Sequence, residues 1–110
     1  MSRRPKLVIG LMSGTSADGV DAALVEVHGV GLATRVRVVT HTTVPYPRSV
    51  RALIGRLCGD ASVELLARAN FLLGDLFADA AIEVARMACI SIRRVALIGS
   101  HGQTVRHLPR

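Results

Sequence analysis

The chain has 110 residues, a formal net charge of +6 and 50% hydrophobic residues. That length fits one domain or one lobe that buries roughly 65% of its unfolded surface, and the apolar content excludes a disordered chain. The positive charge is mostly Arg and is scattered, without a basic stripe interleaved with aromatics, so it reads as dispersed, solvated surface charge rather than a nucleic-acid interface.

Tyr46, Phe71 and Phe77 are the only aromatic residues, so the core must be built from Leu, Val, Ile and Ala. Cys58 and Cys89 lie far apart with no CxxC or zinc spacing, as expected of two reduced structural thiols in helical segments of a cytoplasmic protein. The apolar run at 7–11 is too short for a signal-peptide core. Apolar stretches further on carry charges, so no membrane span is expected.

In chain order, LVIGLM at 7–12 reads as a buried strand that ends in a Gly/Ser/Thr turn. A second strand spans 20–28 with both faces largely apolar, and Gly29 and Gly31 mark a tight reversal. The Val- and Thr-rich stretch 34–44 predicts an edge-ward antiparallel strand, ended by Pro45 and Pro47. A short helix follows at 49–58, closed by Gly59. Ser62 or Asp60 can cap a second, longer helix. Its apolar residues recur at a helical period: Leu65/Leu66, Ala69, Leu72/Leu73, Leu76/Phe77, Ala80/Ala81, Val84 and Met87/Ala88. Gly74 within it would permit close packing. Residues 95–99 form a last buried strand leading into SHGQT at 100–104. The order β-β-β-α-α-β predicts a meander of three strands, then a crossover to a strand parallel to the first. No helix follows to cover the second face of the sheet, so the chain looks cut off.

Two segments can carry chemistry. In Ser13 to Asp21 (SGTSADGVD), two glycines allow a tight turn and close ligand approach, and successive backbone N–H groups can cradle an anion. Asp18 and Asp21 offer hard oxygen ligands for magnesium, directly or through water. Gly14 and Gly19 match the glycine spacing of a Walker A loop, but Val20 and Asp21 stand where Lys and Ser/Thr are required. A strand also follows where a helix should, which excludes a dinucleotide fingerprint as well. On composition alone, a ligand-free hairpin turn fits these residues at least as well.

The second segment, His101 to Thr104, sits at the carboxyl end of the last strand, where open α/β sheets bind ligands. His101, Gln103 and Thr104 supply donors and acceptors suited to a polyhydroxyl substrate. A single His in such a place is more often structural or merely exposed. His28, His41 and His107 have no ligand spacing around them, so no metal cluster is expected.

At these motifs the sequence resembles the anhydro-N-acetylmuramic acid kinase family. GLMSGTSADGVD at 10–21 is similar to its nucleotide-binding signature, GSHGQTV at 99–105 with His107 and Pro109 to its second signature, and NFLLGDLFA at 70–78 to the stretch between. The resemblance implies an α/β, actin-like ATPase, ribonuclease H-like fold in which two lobes close over ATP. Residues 1–110 would form a single partial domain, part of the N-terminal lobe. It further implies a cytoplasmic kinase of peptidoglycan recycling that uses ATP and Mg2+. Water opens the anhydro ring of 1,6-anhydro-N-acetylmuramic acid and O6 is phosphorylated, giving N-acetylmuramic acid 6-phosphate.

Gly14, Thr15, Ser16, Ala17, Asp18, Gly19, Val20 and Asp21 would form the ATP-phosphate loop, and His101, Gln103 and Thr104 would line the sugar site. The metal ligands stay open. The expected partners are ATP and the anhydro amino sugar, with no nucleic acid and no membrane, and a homodimer in the full-length protein. The carboxylate that activates water belongs to a later GDFR-type segment, beyond Arg110, so no catalytic residue is expected here and the chain alone should be inactive. The alternative is a non-catalytic binding or assembly module built on the same half-lobe.

Overall fold

The computed structural model describes residues 4–13, 17–59, 62–103 and 105. Strands β1 (Lys6–Ser13), β2 (Gly19–His28) and β3 (Arg35–Pro45) come first. Helices α1 (Arg48–Cys58) and α2 (Val63–Met87) follow, and β4 (Val95–Gln103) ends the series. Single 3-10 turns at Gly31–Ala33 and Ile92–Arg94 precede β3 and β4. The strands form one sheet in the order β3-β2-β1-β4. β1 pairs antiparallel with β2, β2 antiparallel with β3, and β1 parallel with β4. The predicted meander and parallel return are both present.

Alternation along β1 and β2 explains the core. Leu7, Ile9 and Leu11 of β1 and Val20, Ala22 and Leu24 of β2 point to one face and are buried. There they meet Val50 and Ile54 of α1 and Phe77, Ala80, Ala81, Val84 and Ala85 of α2. Both helices therefore lie on the same side of the sheet. The other face carries Met12, Val36, Val38 and Leu97, all exposed. Of the expected stripe on α2, Ala69, Phe77, Ala80, Ala81 and Val84 are buried, whereas Leu66, Leu72 and Met87 are exposed. At 25 residues the helix is about 37 Å long.

Local signals set the helix ends. Ser62 caps α2, its hydroxyl accepting from the Leu65 N–H at 3.1 Å; Asp60, the other expected cap, lies outside the described residues. Pro47 precedes the first turn of α1, and its carbonyl accepts from the Val50 and Arg51 N–H groups.

Several sequence expectations need correction. β4 is not buried, because it forms the edge of the sheet and residues 96–101 are exposed, and it does not stop at Gly99 but continues through Gln103, so the SHGQ stretch is part of the strand. β3 includes Pro45, which is tolerated because β3 is an edge strand. Gly74 is not a close-packing residue, since a Cβ placed there meets no atom within 4 Å. Cys89 lies just past the end of α2 at φ 55° rather than within a helix, and both cysteines are exposed free thiols.

Candidate functional site

The parallel pairing of β1 and β4 brings their carboxyl ends to one edge of the sheet, and the antiparallel β2 starts from the same edge. Ser13, the described residues 17–21 and the end of β4 are thus neighbours, although 90 residues separate Ser13 from Gln103. Gly14, Thr15, Ser16 and Thr104 lie outside the described residues.

The described part of the turn is fixed by its surroundings. Ala17 holds φ 53°, a left-handed conformation that costs a residue with a Cβ about 1–2 kcal/mol. The Asp18 carbonyl accepts from the Tyr46 N–H at 2.9 Å, which ties the turn to the junction between β3 and α1. A Cβ on Gly19 would lie 2.4 Å from the Val44 carbonyl oxygen and 2.8 Å from Pro45 Cα. Glycine is needed there because β3 passes against the backbone. Val20 is completely buried, so it can meet a ligand only through its backbone. Asp21 sits on β2, where the Thr43 hydroxyl donates to its carboxylate at 2.6 Å.

Asp18 is exposed at the turn. Among the described residues, no group of three or more His, Cys, Asp or Glu side chains is placed to hold a metal. This donor set fits a magnesium ion that takes most of its ligands from phosphate oxygens and water, as magnesium does in phosphoryl-transfer sites. It does not form a protein cage.

On β4, Leu11 lies opposite Ser100 while Ser13 lies opposite Gln103, so β4 carries one residue more than β1 across this step. Gly102 absorbs the extra residue at φ 82°, a conformation glycine adopts without strain. The irregularity turns Gln103 toward Ser13, which is buried. There Ser13 Oγ is within hydrogen-bond distance of both the Gly19 carbonyl oxygen, at 2.6 Å, and Gln103 Oε1. The Tyr46 hydroxyl donates to the same Gln103 oxygen at 3.0 Å. Burial raises the Tyr46 phenol above its ordinary value, and the neighbouring Ser13 hydroxyl opposes that shift.

Of the residues expected at the sugar site, Gln103 therefore has protein partners at the turn, whereas His101 is exposed on the strand. Tyr46 was not among the expected site residues. Its signal was present: a single tyrosine between two prolines where a strand hands over to a helix. Beside this cluster, a cavity of about 410 Å³ opens between α2 and the end of β4. Leu66, Leu73 and Phe77 make most of its wall apolar, with Asn70, Ser100 and Gln103 at polar positions.

A mixed sheet in this order, with two helices on one face and a Gly-containing turn at the ends of its central strands, is a partial lobe of the actin-like kinase class. Within that class, the chain belongs to the anhydro-N-acetylmuramic acid kinase family, whose family model matches residues 6–110. It is 46% identical over 110 residues to an anhydro-N-acetylmuramic acid kinase of Caldanaerobacter subterraneus subsp. tengcongensis. That match covers 98% of this chain and 28% of the relative. Kinases of the same name from Bacillus thuringiensis subsp. konkukian and Bacillus cereus are each 41% identical over 105 residues. Those matches cover 94% of this chain and 28% of each relative. The chain thus spans less than a third of the length of the curated relatives it matches.

Proposed function

We propose that residues 1–110 form a single partial domain that supplies the phosphate-facing turn of an ATP-dependent sugar kinase. The substrate of the whole enzyme is 1,6-anhydro-N-acetylmuramic acid. The observation that carries this reading is the convergence of the 13–21 turn and the end of β4 at one carboxyl edge of the sheet, where open α/β sheets bind their ligands. In the reaction, a water oxygen bonds to C1 of the sugar as the C1–O6 bond breaks. O6 then takes the γ-phosphoryl group, and ADP leaves.

The residues of this chain hold and orient. Gly14 to Gly19 are proposed to bind the phosphates through backbone N–H groups, while Asp18 and Asp21 stand near enough in the chain to hold magnesium-bound water. Val20 anchors the turn by burying its side chain in the core. Magnesium, when bound, neutralises phosphate charge, the main requirement of phosphoryl transfer. His101 and Thr104 are proposed to meet the sugar from the end of β4, together with the polar wall around Gln103. The water-activating carboxylate is not among these residues, so this chain positions substrates and does not itself supply the base. The proposed setting is cytoplasmic recycling of cell-wall sugars. No helix among the described residues is long and apolar enough to cross a membrane.

The test is a chimera in which this chain replaces the matched segment of the Bacillus thuringiensis relative, assayed for ADP release. Release that depends on the anhydro sugar is expected. A folded chimera that binds neither ATP nor sugar would reject the reading. A second reading, a non-catalytic assembly module, draws on the exposed apolar face with Val36, Val38 and Leu97. A defined, soluble dimer of the chain in sedimentation, paired with an inert chimera, would favour it.

A further inference from the structure

We propose that Tyr46, Ser13 and Gln103 form a positioning tie that sets the shape of the nucleotide turn from the end of β4. The inference rests on the kinase reading above for its purpose, but its structural content stands without it. Three segments distant in sequence meet at one amide: the last residue of β1, the junction before α1 and the last residue of β4. Nothing in the hairpin itself requires this meeting. It depends on the left-handed Gly102, which rotates Gln103 onto the helix-covered side of the sheet.

The proton inventory gives the tie its direction. Ser13 has one hydroxyl proton and two acceptors in reach, the Gly19 carbonyl and Gln103 Oε1. Bonding to Gly19 closes the turn across its base; bonding to Gln103 joins β1 to β4 instead. The Tyr46 phenol donates to the same Gln103 oxygen and keeps it in place for either arrangement. The Tyr46 backbone N–H meanwhile holds the Asp18 carbonyl at 2.9 Å, so one residue grips the turn and the strand end together. Displacement of β4, where the sugar motif lies, is thereby passed to the turn that faces the phosphates. Tyr46 and Gln103 act through the turn and are positioning residues rather than catalytic ones.

The test is hydrogen exchange at the amides of residues 17–19 in the chain, compared among Tyr46→Phe, Gln103→Leu and Gln103→Glu. Tyr46→Phe keeps the ring and Gln103→Leu keeps much of the bulk, while Gln103→Glu keeps an acceptor oxygen for both hydroxyls. We expect exchange about tenfold faster in the first two variants, the size of one lost hydrogen bond, and near the parent rate in Gln103→Glu. The chain contains one tyrosine and no tryptophan, so alkaline phenol absorbance reads Tyr46 alone. Its titration should change in Ser13→Ala and Gln103→Leu. Unaltered exchange at 17–19 with an unaltered phenol titration would overturn the tie, as would equal effects of Gln103→Leu and Gln103→Glu. Failure of the parent chimera to release ADP would count against the kinase reading and leave the tie, as measured by exchange, standing.

Discussion

At Gly19 the need for a small residue comes from the neighbouring strand. A Cβ there would press into the Val44 carbonyl and Pro45 Cα, both backbone atoms that cannot swing aside. Gly19→Ala should destabilise the protein by about 1–3 kcal/mol, the usual cost of overpacking, seen as a lower urea midpoint with an unchanged slope. Gly10, on the open face, has no atom within 4 Å of a Cβ and should accept alanine without that loss. Tyr46 makes a second prediction at this scale. Its folded-state pKa is raised above the ordinary 10.0, chiefly by burial. The folded chain then holds the phenolic proton more tightly than the unfolded chain. The resulting stability is fully present below pH 10 and is lost as the pH climbs through the folded-state value. Urea unfolding measured across that range should show an alkaline decline that Tyr46→Phe flattens.

Elements were the most legible level. Three strands, two helices and a fourth strand are readable from apolar period, Gly/Pro punctuation and the Ser62 cap, because those signals are local. Ser62→Ala should cost about 1 kcal/mol, read as a shift in thermal midpoint with loss of helicity at the start of α2. The end of β4 was not legible. Its extension to Gln103 depends on pairing with β1, and the extra residue at Gly102 depends on register, which no local pattern encodes. The helical period of α2 identified its apolar side but not how much of it is covered: Leu66 and Leu72 are exposed while Ala69 between them is buried. The site divides in the same way. The turn and the β4 motif stood out by residue type, whereas the role of Tyr46 follows only from three segments meeting.

At the scale of the whole molecule, the sheet has one face packed by both helices and one face bearing exposed Val36, Val38 and Leu97. The matched relatives are more than three times as long as the chain, and the kinase reaction is a proposal for a protein of that length. The narrower proposal for the chain itself is that the turn at 13–21 binds the ATP phosphates. Isotope-labelled chain titrated with Mg·ATP tests this directly through its backbone amide resonances. The largest shifts are expected on residues 13–21, with smaller ones on Tyr46 and the end of β4. Shifts centred on the arginines of β3 or on α2, with the turn unmoved, would contradict it.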